Sequence, residues 1–555
     1  MCVLTSAAWS SALFPRLLSF CAMKAAAPPL LRSPSGSALG ECPLCVRSFP
    51  LSLLDTHAWQ CTGPAAPPPP KRARSDETLP APVDIDTPPR FDTSRLPPHL
   101  RHRVRLLKQH QASPAHHAPR RSFVLYWPRV AYRAEHNPSL CVATHASSEL
   151  CLPVLVLLTV EDGHMHDTAR RHTFLLDSVR DVAAALRRRG FAVQVYVHSS
   201  SGRQPWHLTL AHRAALVITD EPFCEPWLSS TTSLARAGFA APLYSVDASC
   251  MVPACTVSAS STHRAGNYER ATAAARRAAL ATPYVDASYD ASAFPPLPAF
   301  FTDTPLDDIP SLVRSCSVDH SVAAVSHTRG GSAAGEARWA AFVRSGGLAR
   351  YAKARNDVLR SPTGVSRMSA YLNLGIVSPF RVARDGLASD KFSYEVGVWR
   401  ELAYAFVFHN PTTYASVDGL PAWARRALAS RLPPAQQIPY DQLAACGSGN
   451  GLWDAMQRSL VDAGELHNNA RMTWGKAVLQ WSTTGEDALA KLLALNDHFA
   501  LDGQAPPSYG GLLWCLGLFS GGPSIAERPL RDQAARLDAA RLEERTKVLA
   551  RSVAP

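Results

Sequence analysis

The stretch CLPVLVLLTVEDGHMHDTARRHTFLLDSVRDVAAALRRRGFAVQVYV, residues 151–197, decides the fold class of this chain. Residues 151–160 form a short β-branched apolar run bounded by Pro and Asp-Gly, which predicts a buried strand. Residues 169–190 have helical periodicity, carry basic residues near their end and stop at a glycine. Residues 191–197 return to an apolar pattern typical of a strand. The stretch therefore predicts a strand, a helix and a second strand in succession.

Similar short apolar runs occupy residues 121–127, 214–220 and 241–247. Strands that alternate with helices form a parallel sheet through right-handed crossovers. We therefore predict an α/β domain over residues 96–275, with a doubly wound, Rossmann-like parallel sheet. No Gly-X-Gly-X-X-Gly sequence follows the first strand, which argues against a conventional dinucleotide site there.

Beyond residue 330 the strand-like runs give way to periodic apolar positions that are interleaved with Arg, Asp and Asn. This composition favours an all-α domain with a polar cavity over residues 330–530. Residues 276–329 would connect the two domains, and residues 531–555 would form a charged helical tail.

The overall composition limits the class of protein. The chain has 555 residues, of which 46% are hydrophobic, so two or more folded domains are expected. No window has the ~18 consecutive apolar residues that a membrane span needs. The net charge of +12 suits a polyanionic partner. Thirteen cysteines, an odd number in a long chain, argue against a disulfide framework and favour a reducing compartment.

Two segments near the N-terminus bear on where the protein acts. Residues 1–40 contain no Asp or Glu and fit either a chloroplast or mitochondrial transit segment or a disordered leader. Residues 63–95 are rich in Pro and predict a disordered linker. Within them Lys71, Arg72 and Arg74 indicate either nuclear import or a solvated charge run. The nucleus is the leading expectation.

Residues 41–62 hold four potential metal ligands, Cys42, Cys45, His57 and Cys61. Two thiolates on a tight knuckle and two ligands on one helical turn can surround zinc as a tetrahedron. So short a module has little core, and the metal would supply its folding free energy. The alternative is a chance arrangement in disordered chain. The spacing resembles the small ubiquitin-binding zinc fingers of some DNA-repair proteins, which implies ubiquitin or ubiquitinated repair proteins as partners.

Ordered motifs along most of the chain carry a second resemblance. They include RVRLLK at 103–108, EDGHMHDTARRHTFLLDSV, MSAYLNLGIVSP, WREL, LHNNARMTW and LNDHFALDG. This series resembles the photolyase/cryptochrome family, and most of all its class II cyclobutane pyrimidine dimer photolyases. The resemblance implies FAD in the helical domain, ultraviolet-damaged DNA as substrate and repair by light-driven electron transfer. The antenna chromophore stays open, and we expect a monomer.

Three of the twelve tryptophans fall in residues 452–481. Large aromatics are commonly buried, so Trp453, Trp474 and Trp481 would be core residues if taken alone. Trp474 and Trp481 are seven residues apart, which puts them on one face if a single helix spans both. The resemblance implies instead that they carry electrons to the flavin, with Trp474 nearest to it, Trp453 next and Trp481 auxiliary.

The resemblance also implies which residues hold FAD. Arg471 and Asp502 would pair across the isoalloxazine, and a buried Arg without a partner would be strongly destabilising. Asn496 would lie beside N5, because an amide offers both a donor and an acceptor; a helix-end cap is its alternative role. The remaining residues would hold the phosphates and ribityl chain, namely Tyr351, Arg355, Ser366, Met368, Ser369 and Leu372. A helix N-cap is a compatible role for Ser369.

For the lesion, the resemblance implies that Glu401 contacts the thymine pair and that Trp514 faces the flipped-out dimer. Met472 would line the same cavity. The alternatives are a surface glutamate and a core tryptophan.

Several positions depart from the family pattern. Residues 403–406 read AYAF after WREL, residues 519–525 lack the usual His-Asp element, and a charged run follows residues 527–529. The flavin positions are therefore kept better than the DNA-facing ones. Three functions stay open: a class II deoxyribodipyrimidine photo-lyase, a cryptochrome-like photoreceptor that signals through partners, and a flavin-free scaffold.

Overall fold

The computed structural model describes residues 91–110, 122–359, 364–520 and 538–551, together with two short strands that precede them. The chain divides into two compact units, Met1–Ala81 and Pro82–Pro555. In the first unit, β1 (Leu39–Glu41) pairs antiparallel with β2 (Ser48–Pro50). The candidate zinc ligands and the basic cluster of the linker lie outside the described residues.

The second unit contains a six-stranded sheet in the order β3-β8-β7-β4-β5-β6. The strands are β3 Val104–Lys108, β4 Val124–Trp127, β5 Val154–Val160, β6 Ala192–Val197, β7 Leu216–Asp220 and β8 Leu243–Val246. Strands β4 to β8 pair in parallel, whereas β3 runs antiparallel to β8. The predicted parallel sheet is confirmed, and β3 extends it at one edge.

Helices precede, separate and follow the strands of the α/β part. They are α1 Pro98–Arg101, α2 Pro138–Leu150, α3 Ala169–Arg188, α4 Trp206–Ala211, α5 Trp227–Arg236, α6 Ala265–Ala281 and, in the connector, α7 Ile309–Arg314. Short 3-10 turns occupy Thr93–Arg95, Ala254–Thr256, Ala259–His263 and Ala291–Ala293. Helix α3 confirms the predicted helix: Thr168 caps its start, accepting from the Arg171 N–H at 3.2 Å, and Gly190 follows its end with φ +85°.

The part after residue 330 is helical, as the sequence predicts. Its helices are α8 Ser332–Arg344, α9 Gly347–Ala354, α10 Ser369–Asn373, α11 Pro379–Asp385, α12 Asp390–Tyr394, α13 Glu401–His409, α14 Ala422–Ala429, α15 Tyr440–Ala444, α16 Gly451–Ala463, α17 Asn468–Gln480, α18 Gly485–Phe499, α19 Pro506–Cys515 and α20 Ala539–Arg551. A π-helical segment, Glu395–Arg400, joins α12 to α13, and 3-10 turns cover Gly386–Ala388 and Val417–Gly419. In the parts of the chain that are described, no helix is both long and apolar enough to cross a membrane.

The tryptophan-rich run forms two helices, so Trp453 lies on a different helix from Trp474, whereas Trp481 directly follows the helix that contains Trp474. Helix α16 ends because Gly464 takes φ +66°, a left-handed conformation that favours glycine. A Cβ at Gly464 would also lie only 3.0 Å from the Arg170 side chain. Helix α17 ends before Trp481, which caps it. The turn folds α17 back on α16.

Arg170, on α3 of the α/β part, ties the sheet region to the helical part. Its guanidinium donates to the carbonyl oxygens of Leu460 at 2.9 Å and Phe499 at 2.8 Å, near the ends of α16 and α18. Carbonyls in the last turn of a helix have no partner within it, and a cation there interacts favourably with the negative end of the helix dipole. Arg170 therefore satisfies two helix ends at once.

The C-terminal helix α20 lies within the predicted charged tail and packs along α16. Leu542 is buried against α16, and Arg458 pairs with Glu543 at 2.7 Å. Arg545 reaches Glu465, just after α16, at 3.3 Å, and Arg367 reaches the same carboxylate at 2.8 Å. Although burial opposes ionisation, these two cations lower the pKa of Glu465 to about 2.

Candidate functional site

Three tryptophans form a continuous row in the helical part. The ring centres of Trp474 and Trp453 are 6.1 Å apart, and the ring planes are 8° from parallel. Trp453 contacts Trp481 edge-on, with ring centres 5.5 Å apart. Trp474 and Trp453 are buried and Trp481 is partly exposed. The row thus runs from the core to the surface in the order that the resemblance implies.

Hydrogen bonds fix the orientation of the two inner indoles. Trp474 Nε1 donates to Gln457 Oε1 at 2.9 Å, and Trp453 Nε1 donates to the backbone oxygen of Trp474 at 3.0 Å. Asn450 caps α16 and accepts from the Trp453 N–H at 3.0 Å. Because an indole N–H can only donate, these two acceptors determine the direction in which the N–H of each ring points.

A predicted ion pair lies one turn before Trp474 on α17. Arg471 Nη2 donates to Asp502 Oδ1 at 2.8 Å, and both side chains are mostly buried. The Asp502 backbone oxygen accepts from Asn373 Nδ2 at 2.8 Å, which holds the loop that carries the carboxylate. Residues three apart on a helix share a face, so Arg471 and Trp474 line the same region.

Asn496, on α18, is completely buried. Its Nδ2 donates to Ser508 Oγ at 2.7 Å and to Asp497 Oδ1 at 3.0 Å, whereas its Oδ1 has no hydrogen-bond partner. An unsatisfied buried acceptor costs about 1–3 kcal/mol, unless a bound group supplies a donor. The side chain caps no helix end. An orphaned acceptor and a nearby Arg–Asp pair fit the ring system of FAD.

Asp497 organises the back of this site and is not a residue that the motifs single out. Its Oδ1 accepts from the Gln504 N–H at 2.9 Å, and its Oδ2 accepts from the Tyr509 hydroxyl at 3.2 Å. Burial, followed by the charge of Asp497, raises the pKa of Tyr509 well above its ordinary value. The hydroxyl therefore stays a donor and keeps Asp497 in place.

The structure gathers the predicted phosphate-binding residues only in part. Tyr351 is buried, and the Arg355 guanidinium lies 5.9 Å from its ring centre. Arg355 also pairs with Glu395 at 3.3 Å, and its Nε is buried without a partner. Of the other four residues, two are buried, one is partly exposed and one is exposed: Met368, Leu372, Ser366 and Ser369 in that order. The N-cap of the five-residue α10 is Met368 and not Ser369.

Trp514 faces a second partly exposed indole. The ring centres of Trp514 and Trp399 are 6.5 Å apart at an interplanar angle of 63°. Lys476 Nζ lies 5.5 Å from the Trp514 ring centre. Met472 is buried, with its Sδ 4.0 Å from the Sγ of Cys515, the residue that follows Trp514. Two indoles beside an ammonium group can stack on unpaired bases and attract a phosphate.

Glu401 does not line this surface, so its predicted contact with the substrate is not supported. The residue is 1% exposed, and its two carboxylate oxygens accept from the backbone N–H groups of Met251 and Val252. Burial raises the pKa of Glu401 to about 7. A π-helical segment directly precedes Glu401, and the wider turn of such a segment changes which residues share a face. Glu395 and Trp399, within that segment, are the partly exposed residues.

The raised pKa of Glu401 predicts a pH-dependent stability. Because the folded-state pKa is about 7 and the ordinary value is 4.5, the native state binds the proton more tightly. The free energy of unfolding should fall by on the order of 3 kcal/mol as the pH rises from 4.5 to 7. Glu401→Gln, which stays neutral, should lose that part of the pH dependence in denaturant titrations at pH 5 and pH 8. Identical pH profiles for the two proteins would contradict this.

Three functional candidates escape the motif comparison: Glu395, Trp399 and Gln457. Trp399 is the first residue of WREL, two residues before Glu401, so the motif itself contains this second aromatic candidate. The pairing of Glu395 with Arg355 and of Gln457 with Trp474 joins separate helices. No spacing along the chain reveals such pairs.

Known proteins resemble this chain in sequence and in fold. A family model described as DNA photolyase matches residues 124–288. A deoxyribodipyrimidine photo-lyase from Methanothermobacter thermautotrophicus is 28% identical over 407 residues, which are 72% of this chain and 87% of that protein.

Solved structures show the same fold at low identity. A class III photolyase from Agrobacterium tumefaciens superposes with a TM-score of 0.57 at 15% identity, covering 79% of this chain and 91% of that one. A cryptochrome from Synechocystis gives a TM-score of 0.57 at 17% identity, with 77% and 88% covered.

Proposed function

We propose that this chain is a class II photolyase. The similar proteins support membership of the photolyase/cryptochrome family, and the proposal starts from that. The protein would split cyclobutane pyrimidine dimers in DNA with blue or near-ultraviolet light and bound FAD. The observation that carries the proposal is the continuous row of Trp474, Trp453 and Trp481, which starts one helical turn from the Arg471–Asp502 pair. A packed core needs aromatic bulk but no such path from a polar site to the surface.

The residues of the polar site would hold FAD by complementary hydrogen bonds. Bound FAD would supply a light-activated electron donor. Arg471 would place positive charge beside the ring, and Asp502 keeps that guanidinium in position. Asn496 would accept an N–H with its orphaned Oδ1, while Ser508 and Asp497 hold its amide nitrogen.

The paired indoles would hold the damaged bases. Trp399 and Trp514 present two aromatic faces on one partly exposed surface, and an extruded pyrimidine pair needs such faces to replace lost stacking. Extrusion costs a few kcal/mol, and least where damage already weakens the duplex. Glu395, held by Arg355 and Lys391, would meet the polar edge of the bases. Lys476 and the net charge of +12 would attract phosphates.

Removing Asp502 should weaken FAD binding. In Asp502→Ala, Arg471 would lose its charged partner inside a mostly buried site, and FAD affinity should fall ~10-fold or more, as expected for a charged hydrogen bond. Flavin absorbance after dialysis measures the effect. Asp418→Ala is the matched control, because Asp418 is largely exposed and its contact with Arg425 is 4.0 Å long. Equal flavin retention in the two variants would contradict the assignment.

A repair assay tests the proposed function. Purified protein, reduced chemically and mixed with an oligonucleotide that carries one cyclobutane dimer, should restore the paired thymines in light and not in the dark. Reduced, illuminated protein that leaves the dimer intact would overturn repair and favour the cryptochrome-like photoreceptor. DNA binding should weaken steeply with salt, because phosphate contacts release counterions.

We also propose that Cys42, Cys45, His57 and Cys61 hold zinc and that this finger binds ubiquitin in the nucleus. Strands β1 and β2 stand on either side of Cys42 and Cys45 in the sequence, as a knuckle between two strands would require. The double change Cys42→Ser and Cys45→Ser should remove one zinc per chain, measured by elemental analysis. Equal zinc content in the serine variant and the parent would discard the finger.

A further inference from the structure

We propose that Gln457 keeps the indole proton on Trp474 while the tryptophan row carries charge. The inner part of the row would then move electrons without moving protons, and only Trp481 would release one. Gln457 is a positioning residue in this scheme, since it acts through Trp474. The inference rests on the proposed function, because the row must be oxidised by a photo-excited flavin.

The geometry places an amide, and not a base, against the indole of Trp474. Gln457 is completely buried on α16, and its Oε1 accepts from Trp474 Nε1 at 2.9 Å. The indole nitrogen is a donor only, so the amide must present its oxygen. Gln457 Nε2 is then left buried without a hydrogen-bond partner.

This unsatisfied amide nitrogen is the second observation that points to a function. A buried polar group without a partner is destabilising, and an apolar side chain of similar size would avoid it. Packing alone therefore does not account for Gln457. Its oxygen satisfies the one donor that the indole has. The unpartnered nitrogen is the destabilising consequence of placing an amide there.

The acceptor determines what happens when Trp474 is oxidised. Trp474 gives one electron to the excited flavin and becomes a cation radical, whose N–H is much more acidic than that of a neutral indole. A carboxylate or an imidazole at this position would take the proton, and a neutral radical would remain. An amide oxygen is a far weaker base, so the proton stays. Trp453 then returns one electron to Trp474 and restores it unchanged.

After the next electron transfer, from Trp453 to Trp474, the oxidised indole again has an amide oxygen as the hydrogen-bond acceptor of its N–H. Trp453 Nε1 donates to the backbone oxygen of Trp474, which is also an amide oxygen. The positive charge therefore passes to Trp481 when Trp481 gives an electron to Trp453. Trp481 is partly exposed and can lose its N–H proton to water. A soluble thiol then returns one hydrogen atom to the Trp481 radical, and pairs of thiyl radicals form a disulfide.

Transient absorption in a Trp453→Phe background tests this inference, because oxidation then stops at Trp474. Cation and neutral indole radicals have different visible spectra, so the readout is independent of repair. In Trp453→Phe we expect the cation radical, with decay that is the same in H₂O and D₂O. Adding Gln457→Glu should convert it to the neutral radical once the glutamate is ionised, with slower formation in D₂O. Thermal melting checks that both variants fold.

The outcomes separate this inference from the function on which it rests. A neutral radical in Trp453→Phe alone would overturn it. A cation radical that survives in both proteins at every pH between about 5 and 10 would overturn it as well, because the basicity of the acceptor would then not matter. No tryptophan radical in flavin-loaded parent protein would contradict the electron-transfer row itself.

Discussion

Replacing Trp453 with phenylalanine should abolish net photoreduction of the bound flavin. Trp453 contacts both Trp474 and Trp481, so its ring is the link between the core and the surface. Phenylalanine keeps most of the packing volume but is much harder to oxidise, and the charge on Trp474 should return to the flavin. Absorbance during continuous illumination with an excess of thiol measures the loss.

Two controls make this result specific. Trp206→Phe changes a tryptophan that stacks on Phe301 in the α/β part, far along the chain from the row, and should photoreduce normally. Trp453→Phe that is reduced chemically should still repair dimers, because in the proposed function the row only supplies electrons to the flavin. Photoreduction of Trp453→Phe at the parent rate would contradict the assignment of the row.

Replacing Trp514 with alanine should selectively weaken binding of damaged DNA. Its indole faces Trp399 on the surface proposed to hold the extruded dimer. Loss of one aromatic stacking face costs ~1–3 kcal/mol per base, which corresponds to about 5- to 150-fold in affinity. Competition between dimer-containing and undamaged oligonucleotides at fixed salt gives the selectivity directly.

Trp514→Phe provides the matched control, because it keeps an aromatic face at the same position. That variant should retain most of the preference for damaged DNA. Lys476, 5.5 Å from the Trp514 ring centre, is expected to act differently. Lys476→Ala should weaken damaged and undamaged DNA equally and reduce the salt dependence. A Trp514→Ala protein with unchanged selectivity would contradict the proposed lesion surface.

The sheet was predictable because its central strands are buried on both faces. β5 consists of seven buried residues, and the glycine-terminated helix α3 follows it. Such strands are continuous apolar runs that composition alone reveals. The edge strand β3 contains Arg105 and Lys108 and pairs through an irregular register with β8. Its polar pattern does not distinguish a strand from a loop.

The geometry of the candidate site was predictable where the resemblance rests on motifs that lie within regular helices. Arg471 and Asp502 form the expected ion pair, and the tryptophans contact one another in the expected order. The buried position of Glu401 could not be predicted in this way. Its side chain accepts hydrogen bonds from the backbone of Met251 and Val252, directly after a π-helical segment. A local change in helical register depends on packing between distant segments, which the WREL motif does not encode.

The account depends on one FAD held inside the helical part of the chain. The most direct measurement is the flavin content of the purified full-length protein, after incubation with excess FAD and removal of the unbound excess. We predict one FAD per chain, released on denaturation and identified by its absorption spectrum. A folded, cooperative protein that retains no FAD under these conditions would contradict the account.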